Sequence, residues 1–291
     1  CPLGTSTFML SSGYPVTDGI YGWIATATNT TLTTSAISFT ILAGNYLSNY
    51  GIARLSATRA IALVGNSGST NFTAVLLEMS GAGTSATATV LSTTTVTVSF
   101  SGACIQSISE SKVLIVYGSA AGVSPYSLYS VVLDISGSTI TVNTPISISV
   151  GTAAPSIGRA IMLTSTTALL SFSINSLLNL CVITISGSTS SFSSITQIAL
   201  VGTSVPVVLS SSMIALLYPV GGTAYLTATL VSVSGSSFTT VSTTTLNATP
   251  CNYIDADAIS GTNKIVVSNS YSASNTWQIN YLLVSGSTIS L

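Results

Sequence analysis

The feature that most restricts what this chain can fold into is a set of five glycines, Gly81, Gly137, Gly187, Gly235 and Gly286, each preceded by serine and each closing an apolar run. They stand 56, 50, 48 and 51 residues apart. The most regular copy, YSVVLDISGSTITV at Tyr129–Val142, has relatives at Thr73–Gly81, Leu180–Thr189, Thr227–Ser236 and Asn280–Ile289. A sixth, less regular copy fits at the start: Gly22–Thr28, a polar turn at Asn29–Thr30, then Thr31–Leu42. Such a period marks a repeat architecture, in which one small unit is copied and stacked because it cannot bury its apolar surface alone.

Within a unit the apolar runs are short, rich in Val, Ile, Thr, Leu and Tyr, and bounded by Gly, Ser or Asn, which predicts strands and hairpins and no helix. The fourth unit reads as four antiparallel strands, Ile157–Leu163, Thr167–Ile174, Asn179–Ile185 and Phe192–Ala199, with tight turns at Ser165–Thr166 and Gly187–Ser188. The third strands stack in columns across five units, beginning with Phe72, Leu128, Leu178, Leu226 and Trp277. Two further columns, Leu76/Val132/Val182/Leu230/Tyr281 and Leu77/Leu133/Ile183/Val231/Leu282, are adjacent in sequence and so point to opposite faces. Both are apolar, as in a sheet packed between other sheets.

These observations predict an all-β chain, a six-bladed β-propeller of four-stranded antiparallel repeats of about 50 residues. It reads as a single domain with blades near 1–44, 45–92, 93–149, 150–200, 201–248 and 249–291. A parallel β-helix would use shorter coils without the hairpin glycines, and an outer-membrane barrel would need a polar lumen-facing side that the double-sided columns deny. The last unit stops during its fourth strand, and the first starts at Thr5–Ser11 in a second strand with no inner strand before it. Either the termini pair irregularly, or a longer polypeptide supplies the missing strand.

Composition then narrows function. Only 5 Lys+Arg and 6 Asp+Glu are present, 4% charged against roughly 25% in an ordinary domain, so Ser, Thr, Asn and backbone must make the surface. Five scattered cations give no footprint for nucleic acid. The absence of His removes imidazole bases, Ser/His and Cys/His pairs and imidazole metal sites. On that ground the chain is expected not to be an enzyme and to carry no cofactor or metal. No apolar run reaches the roughly 20 residues of a spanning helix. Cys1, Cys104, Cys181 and Cys251 are too widely spaced for a disulfide framework; Cys181 reads as a small core residue, and Cys1 is compatible with a lipid-modified N-terminus.

The segment Lys112–Val142, KVLIVYGSAAGVSPYSLYSVVLDISGSTITV, resembles the degenerate propeller repeats of bacteriophage tail and fibre-associated proteins and of bacterial surface proteins of similar composition. The likeness extends in weaker form over roughly Thr5–Leu291, and no catalytic motif comes with it. The resemblance implies a propeller used for adhesion or as a scaffold on a virion or cell surface.

Candidate site residues are few. Glu78 and Asp134 share a column with Thr184, Ser232 and Leu283, and the Leu points to a surface strand rather than to chemistry. Asp255 and Asp257 are the one close carboxylate pair; two apart on a strand, they share a face and can serve glycoside hydrolysis, bind a cation, or simply make a polar strand beside solvent. First strands aligned on Ile52, Ile105, Ile157 and Ile254 put Arg54 and Arg159 in one column, Gln106 and Asp255 in the one before and Asp257 in the one after. Such strands line a propeller's channel, so this charge makes either a ligand pocket or a hydrated plug. Tyr126 and Tyr271, with Tyr14, Tyr21, Trp23 and Asn275, are residue types that stack on sugars, although Tyr is common in all-β proteins generally.

The leading expectation is an extracellular, non-enzymatic adhesion or structural module, a phage tail or fibre component on the virion surface that contacts host surface glycan or other virion proteins. Two alternatives stand beside it: a bacterial cell-surface or filament protein, and a carbohydrate-active enzyme using Asp255 and Asp257.

Overall fold

The computed structural model describes residues 7–13, 20–27, 32–34, 39–42, 46–66, 71–81, 85–120, 122, 124–201, 204–220, 225–259, 262–271 and 277–290. These residues form β-strands and turns, with no α-helix among them. The first sheet holds β1 (Thr7–Gly13), β2 (Ile20–Ala27), β3 (Leu32–Thr34) and β4 (Phe39–Leu42). The second holds β5 (Tyr46–Arg54), β6 (Arg59–Asn66), β7 (Asn71–Ser80) and β8 (Thr87–Thr97). The third holds β9 (Phe100–Ser109), β10 (Lys112–Ser119), β11 (Tyr126–Ser136), β12 (Thr139–Val142) and β13 (Ile146–Gly151). The fourth holds β14 (Ser156–Met162), β15 (Thr167–Ile174), β16 (Leu177–Ser186), β17 (Thr189–Phe192) and β18 (Thr196–Val201). In the fifth, β19 (Val205–Ser210), β20 (Met213–Val220) and β21 (Tyr225–Ser234) lead to β22 (Ser237–Ala258). That long strand pairs with β21 by its first half and, by its second, opens the sixth sheet with β23 (Lys264–Tyr271), β24 (Trp277–Ser285) and β25 (Thr288–Ser290).

Each sheet is antiparallel, as in the blade of a β-propeller, and in the first, third and fourth the outer strand is split in two, β3 and β4 on β2, β12 and β13 on β11, β17 and β18 on β16. The residues sort into two compact units, one of 1–154 with 187–190 and the other of 155–186 with 191–291. The outer strand β8 runs on to Thr97.

Local chemistry sets the register. Gly137, Gly235 and Gly286 open two-residue hairpin turns with φ near +58°, and the serine that follows each has no positive φ, the pattern of a type II′ turn. With those turns fixed, the second strands begin at Arg59, Lys112, Thr167, Met213 and Lys264, opposite Glu78, Asp134, Thr184, Ser232 and Leu283. The continuous outer strands β8 and β22 carry matching bulges at Leu91 and Val241.

Successive sheets share cores within each unit. Leu63, Phe72 and Leu76 of the second sheet pack with Ile115, Tyr117 and Leu133 of the third. In the other unit the fourth and fifth sheets meet through Leu180 and Leu216, and the fifth and sixth through Leu230 and Val267. An edge-to-face chain of aromatic rings, Tyr50–Phe100–Phe72–Tyr117, runs through the first of these cores and ends on Tyr129, stacked on Tyr117 at 5.1 Å. Gly65 makes room for it: a Cβ there would lie 2.3 Å from the Tyr50 ring. Burial and the neighbouring Tyr129 push the Tyr117 hydroxyl up to about 12.

Trp277 has its side chain outside the described residues, and among the described ones the third-strand columns follow the sequence reading with one exception. Leu76, Val132, Val182 and Leu230 are buried, but Tyr281 is exposed. Cys181 is buried, as expected of a small core residue.

Candidate functional site

Arg54, Gln106, Arg159, Asp255 and Asp257 lie on strands that open their sheets, β5, β9, β14 and the second half of β22, and there each pairs with the following strand. Their grouping differs from the expected one. Arg159 lies opposite Ser171 and Asp255 opposite Ser268, each four residues into its second strand, so these two occupy one column. Gln106 and Asp257 share another, two residues in, and Arg54 stands one residue in, on the opposite face. The recurring isoleucines misled the alignment because Ile157 and Ile254 pair two positions deeper than Ile52 and Ile105.

A bulge at Gly158 accounts for part of the offset and sets the direction of Arg159. A Cβ on Gly158 would meet the Ser171 carbonyl oxygen at 2.7 Å, so only glycine lets β14 approach β15 this closely. Arg159 then reaches the sixth sheet. Its Nη1 donates to Asp255 Oδ1 and to the Ala256 carbonyl, each at 3.2 Å. Asp255 Oδ1 also accepts from the Ala256 amide at 2.9 Å, and Asp257 Oδ1 from the Ala258 amide at 2.8 Å.

The pair stays open to solvent, with 42% of the Arg159 and 77% of the Asp255 side chain exposed. Its contribution to stability is therefore about 0.2–1 kcal/mol. What the arrangement offers is unused hydrogen-bonding capacity. Among the described residues Arg159 Nε and Nη2, Asp255 Oδ2 and Asp257 Oδ2 make no bond, which leaves donors and acceptors side by side in water.

The remaining candidates serve local roles. Arg54 Nε donates to the Ser56 carbonyl at 3.0 Å, and Gln106 Nε2 to the Ser107 carbonyl at 3.1 Å; both residues belong to the other unit. Tyr126 accepts the Gly122 amide at 3.1 Å and ties down its own loop. Tyr271 ends β23, and its side chain lies outside the described residues, as do those of Tyr21 and Trp23. Tyr14 and Asn275 lie outside them altogether. Among the described residues no cluster of three or more metal-ligating side chains forms.

Asp134, read from sequence as an unremarkable surface residue, is the most heavily partnered carboxylate among the described residues. Its Oδ1 pairs with Lys112, and its Oδ2 accepts from Ser188 at 2.6 Å and Asn143 at 2.8 Å. Burial alone would raise this carboxyl. Hydrogen bonds from Lys112, Ser188 and Asn143, with the Lys112 charge, bring it down to about 2. The signal that could have found it is cross-strand register: Lys112 and Asp134 begin and end the β10–β11 pairing, as Arg59 and Glu78 do in β6–β7.

No family model and no curated protein matches this chain. Among solved structures it is similar over 97% of its length to a protein assigned as a 6-phosphogluconolactonase from Bacteroides uniformis, with a TM-score of 0.57, 13% identity and 83% of that chain covered. It is similar over 97% of its length to Trypanosoma rangeli sialidase in complex with the inhibitor DANA, at 0.55 and 10% identity. The match spans about half of the sialidase, 54%. The Dos1 propeller is similar over 92% of this chain and 67% of its own, at 0.52 and 11% identity. At these identities the likeness establishes the fold, a β-propeller. It also overturns the expectation that the chain is not an enzyme, since a sialidase is an enzyme carried on this fold. The missing His excludes only chemistry that needs imidazole; carboxylate and phenol groups remain.

Proposed function

We propose that this chain is a glycan-recognising propeller module of an extracellular assembly, a phage tail or fibre component on the virion surface, and that Arg159, Asp255 and Asp257 form its recognition site. The observation that carries the reading is the open Arg159–Asp255 pair with Asp257 beside it, in a chain where charge is scarce. Neighbouring sugar hydroxyls each donate and accept. Guanidinium donors and carboxylate acceptors left unbonded at one exposed place are suited to them. The extracellular setting rests on the resemblance of Lys112–Val142 and on a Ser/Thr surface with few ionic interactions for salt to screen.

The test is a glycan array followed by calorimetric titration of the best glycan. Asp255→Asn with Asp257→Asn, and Arg159→Met, should each weaken binding at least tenfold while leaving the melting temperature within about 2 °C. Unchanged affinity in both variants refutes the site.

A second reading, catalysis on a glycan by the two carboxylates, is favoured by their shared face in the second half of β22, where both are exposed. Product release from a bound polysaccharide should then vanish in the double Asp variant, and hydrolysis that survives it removes this reading.

A further inference from the structure

Directly opposite Arg159, across the β14–β15 pairing, stands Ser171, four residues into its strand and fully buried. Its counterparts in the second, third and fifth sheets are Leu63, Val116 and Leu217, all buried and apolar. Of these five sheets, the fourth and the sixth put a hydroxyl there, Ser171 opposite Arg159 and Ser268 opposite Asp255. A buried hydroxyl is unfavourable unless it is hydrogen-bonded, so Ser171 in a column of Leu and Val needs a partner to account for it.

The partner is the backbone of Arg159. Gly158 is the extra residue of the bulge, so Gly158 and Arg159 together face Ser171. The Ser171 hydroxyl accepts from the Arg159 amide at 3.3 Å, and its hydrogen is within reach of two carbonyls, that of Arg159 at 3.3 Å and that of Ser204, just before β19, at 3.5 Å. The second sheet carries the same bulge: Tyr50 is the extra residue and Gly51 lies opposite Leu63. There the residue in the place of Arg159 is a glycine at φ +129°, a conformation that residues with side chains rarely adopt, and no hydroxyl faces it. Arg159 has no positive φ. The bulge alone therefore does not call for serine. What the fourth sheet adds is a long side chain after the bulge, and with it a hydroxyl that holds the backbone from which that side chain springs.

We propose that Ser171 is a positioning residue of the recognition site: its hydroxyl fixes the Arg159 backbone between β15 and the start of β19, and so keeps the guanidinium on Asp255 and the Ala256 carbonyl. The inference deepens the reading of Arg159, Asp255 and Asp257 as that site and rests on it. Arg159 is 42% exposed and bonds the sixth sheet through Nη1 alone. Rotamer entropy opposes so open a pair, and a side chain held at its tip by one nitrogen takes its direction from its backbone end. With that end fixed, Nε and Nη2 are already aimed before a ligand arrives, which lowers the cost of binding one.

Nuclear magnetic resonance of the isotope-labelled, ligand-free chain tests this without a sugar, so a failure here is separate from a failure of glycan binding. Arg54, Arg59 and Arg159 are the chain's arginines, and Arg159→Met assigns the signal of the third. The Arg159 Nε order parameter should exceed about 0.6 in the wild type, fall well below it in Ser171→Val, and return in Ser171→Thr, which has the shape of Val and keeps the hydroxyl. The melting temperature of Ser171→Val should not fall by more than about 2 °C, since Val116 fills that place in the third sheet. Should either larger side chain crowd the site, Ser171→Ala must show the same loss at Arg159. An Arg159 signal that is already mobile in the wild type overturns the proposal, as does one that loss of the hydroxyl leaves unchanged. A loss shared with Arg54 and Arg59 is general loosening and overturns it too.

Discussion

At the centre of β11 in the third sheet, Ser130 and Val132 are buried and Asp134 is half-buried inside a clasp with Lys112, Ser188 and Asn143. At the same three positions of β24 in the sixth sheet stand Ile279, Tyr281 and Leu283, all exposed. Two of the three β11 positions are polar although covered, and all three β24 positions are large and apolar although exposed, against what solvent would favour. Burial in this repeat is therefore set by what lies against a face rather than by the residues on it.

The largest effect expected from this contrast is in the core. Val132→Ser should cost about 2–4 kcal/mol in urea unfolding, while Tyr281→Ser at the equivalent position in the dilute chain should stay within about 0.5 kcal/mol. Equal losses would erase the distinction between the two sheets.

Next in size is Gly158→Ala, which puts a methyl against a backbone oxygen that cannot step aside. It should cost about 2 kcal/mol and, by displacing Arg159, weaken glycan binding with it. A stable variant with full affinity would show that the bulge does not aim the guanidinium.

Smaller again is the clasp. Asp134→Asn should lose about 1–2 kcal/mol, and Glu78→Gln, exposed at the same position of β7, no more than about 0.5. The pH dependence follows from the same carboxyl. Its folded value of about 2 lies below the ordinary 3.8, so its stabilisation is complete above about pH 4 and is lost as pH falls toward 2. The melting temperature should drop by a few degrees across that window, and Asp134→Asn should flatten the part of the drop that this group supplies.

Much of this fold is legible in the sequence because the Ser-Gly turns pin the third strands. From Gly137 or Gly235 backwards, period-two alternation places every residue of β11 and β21 on its face. The first strands have no such anchor. Ile157 and Ile52 look alike, but the Gly158 bulge makes residue counting unreliable there, and Arg159 and Asp255 fall in one column only when pairing with β15 and β23 is known. Asp134 was missed for a related reason: a column read down five units shows Leu283 as a tolerated member, while its importance lies across the sheet, in Lys112, and beyond it, in Ser188. Nothing in the sequence marks Tyr281 as exposed, since hydropathy records what a residue prefers and not whether a neighbour is present.

The most direct measurement is thiol labelling at equivalent positions, with Val132→Cys and Tyr281→Cys exposed to a maleimide in the native chain and the modified peptides read by mass spectrometry. In dilute protein, Cys at 281 should react about as fast as an unstructured thiol and Cys at 132 at least a hundredfold more slowly. Equal protection at the two sites in dilute protein would contradict the account.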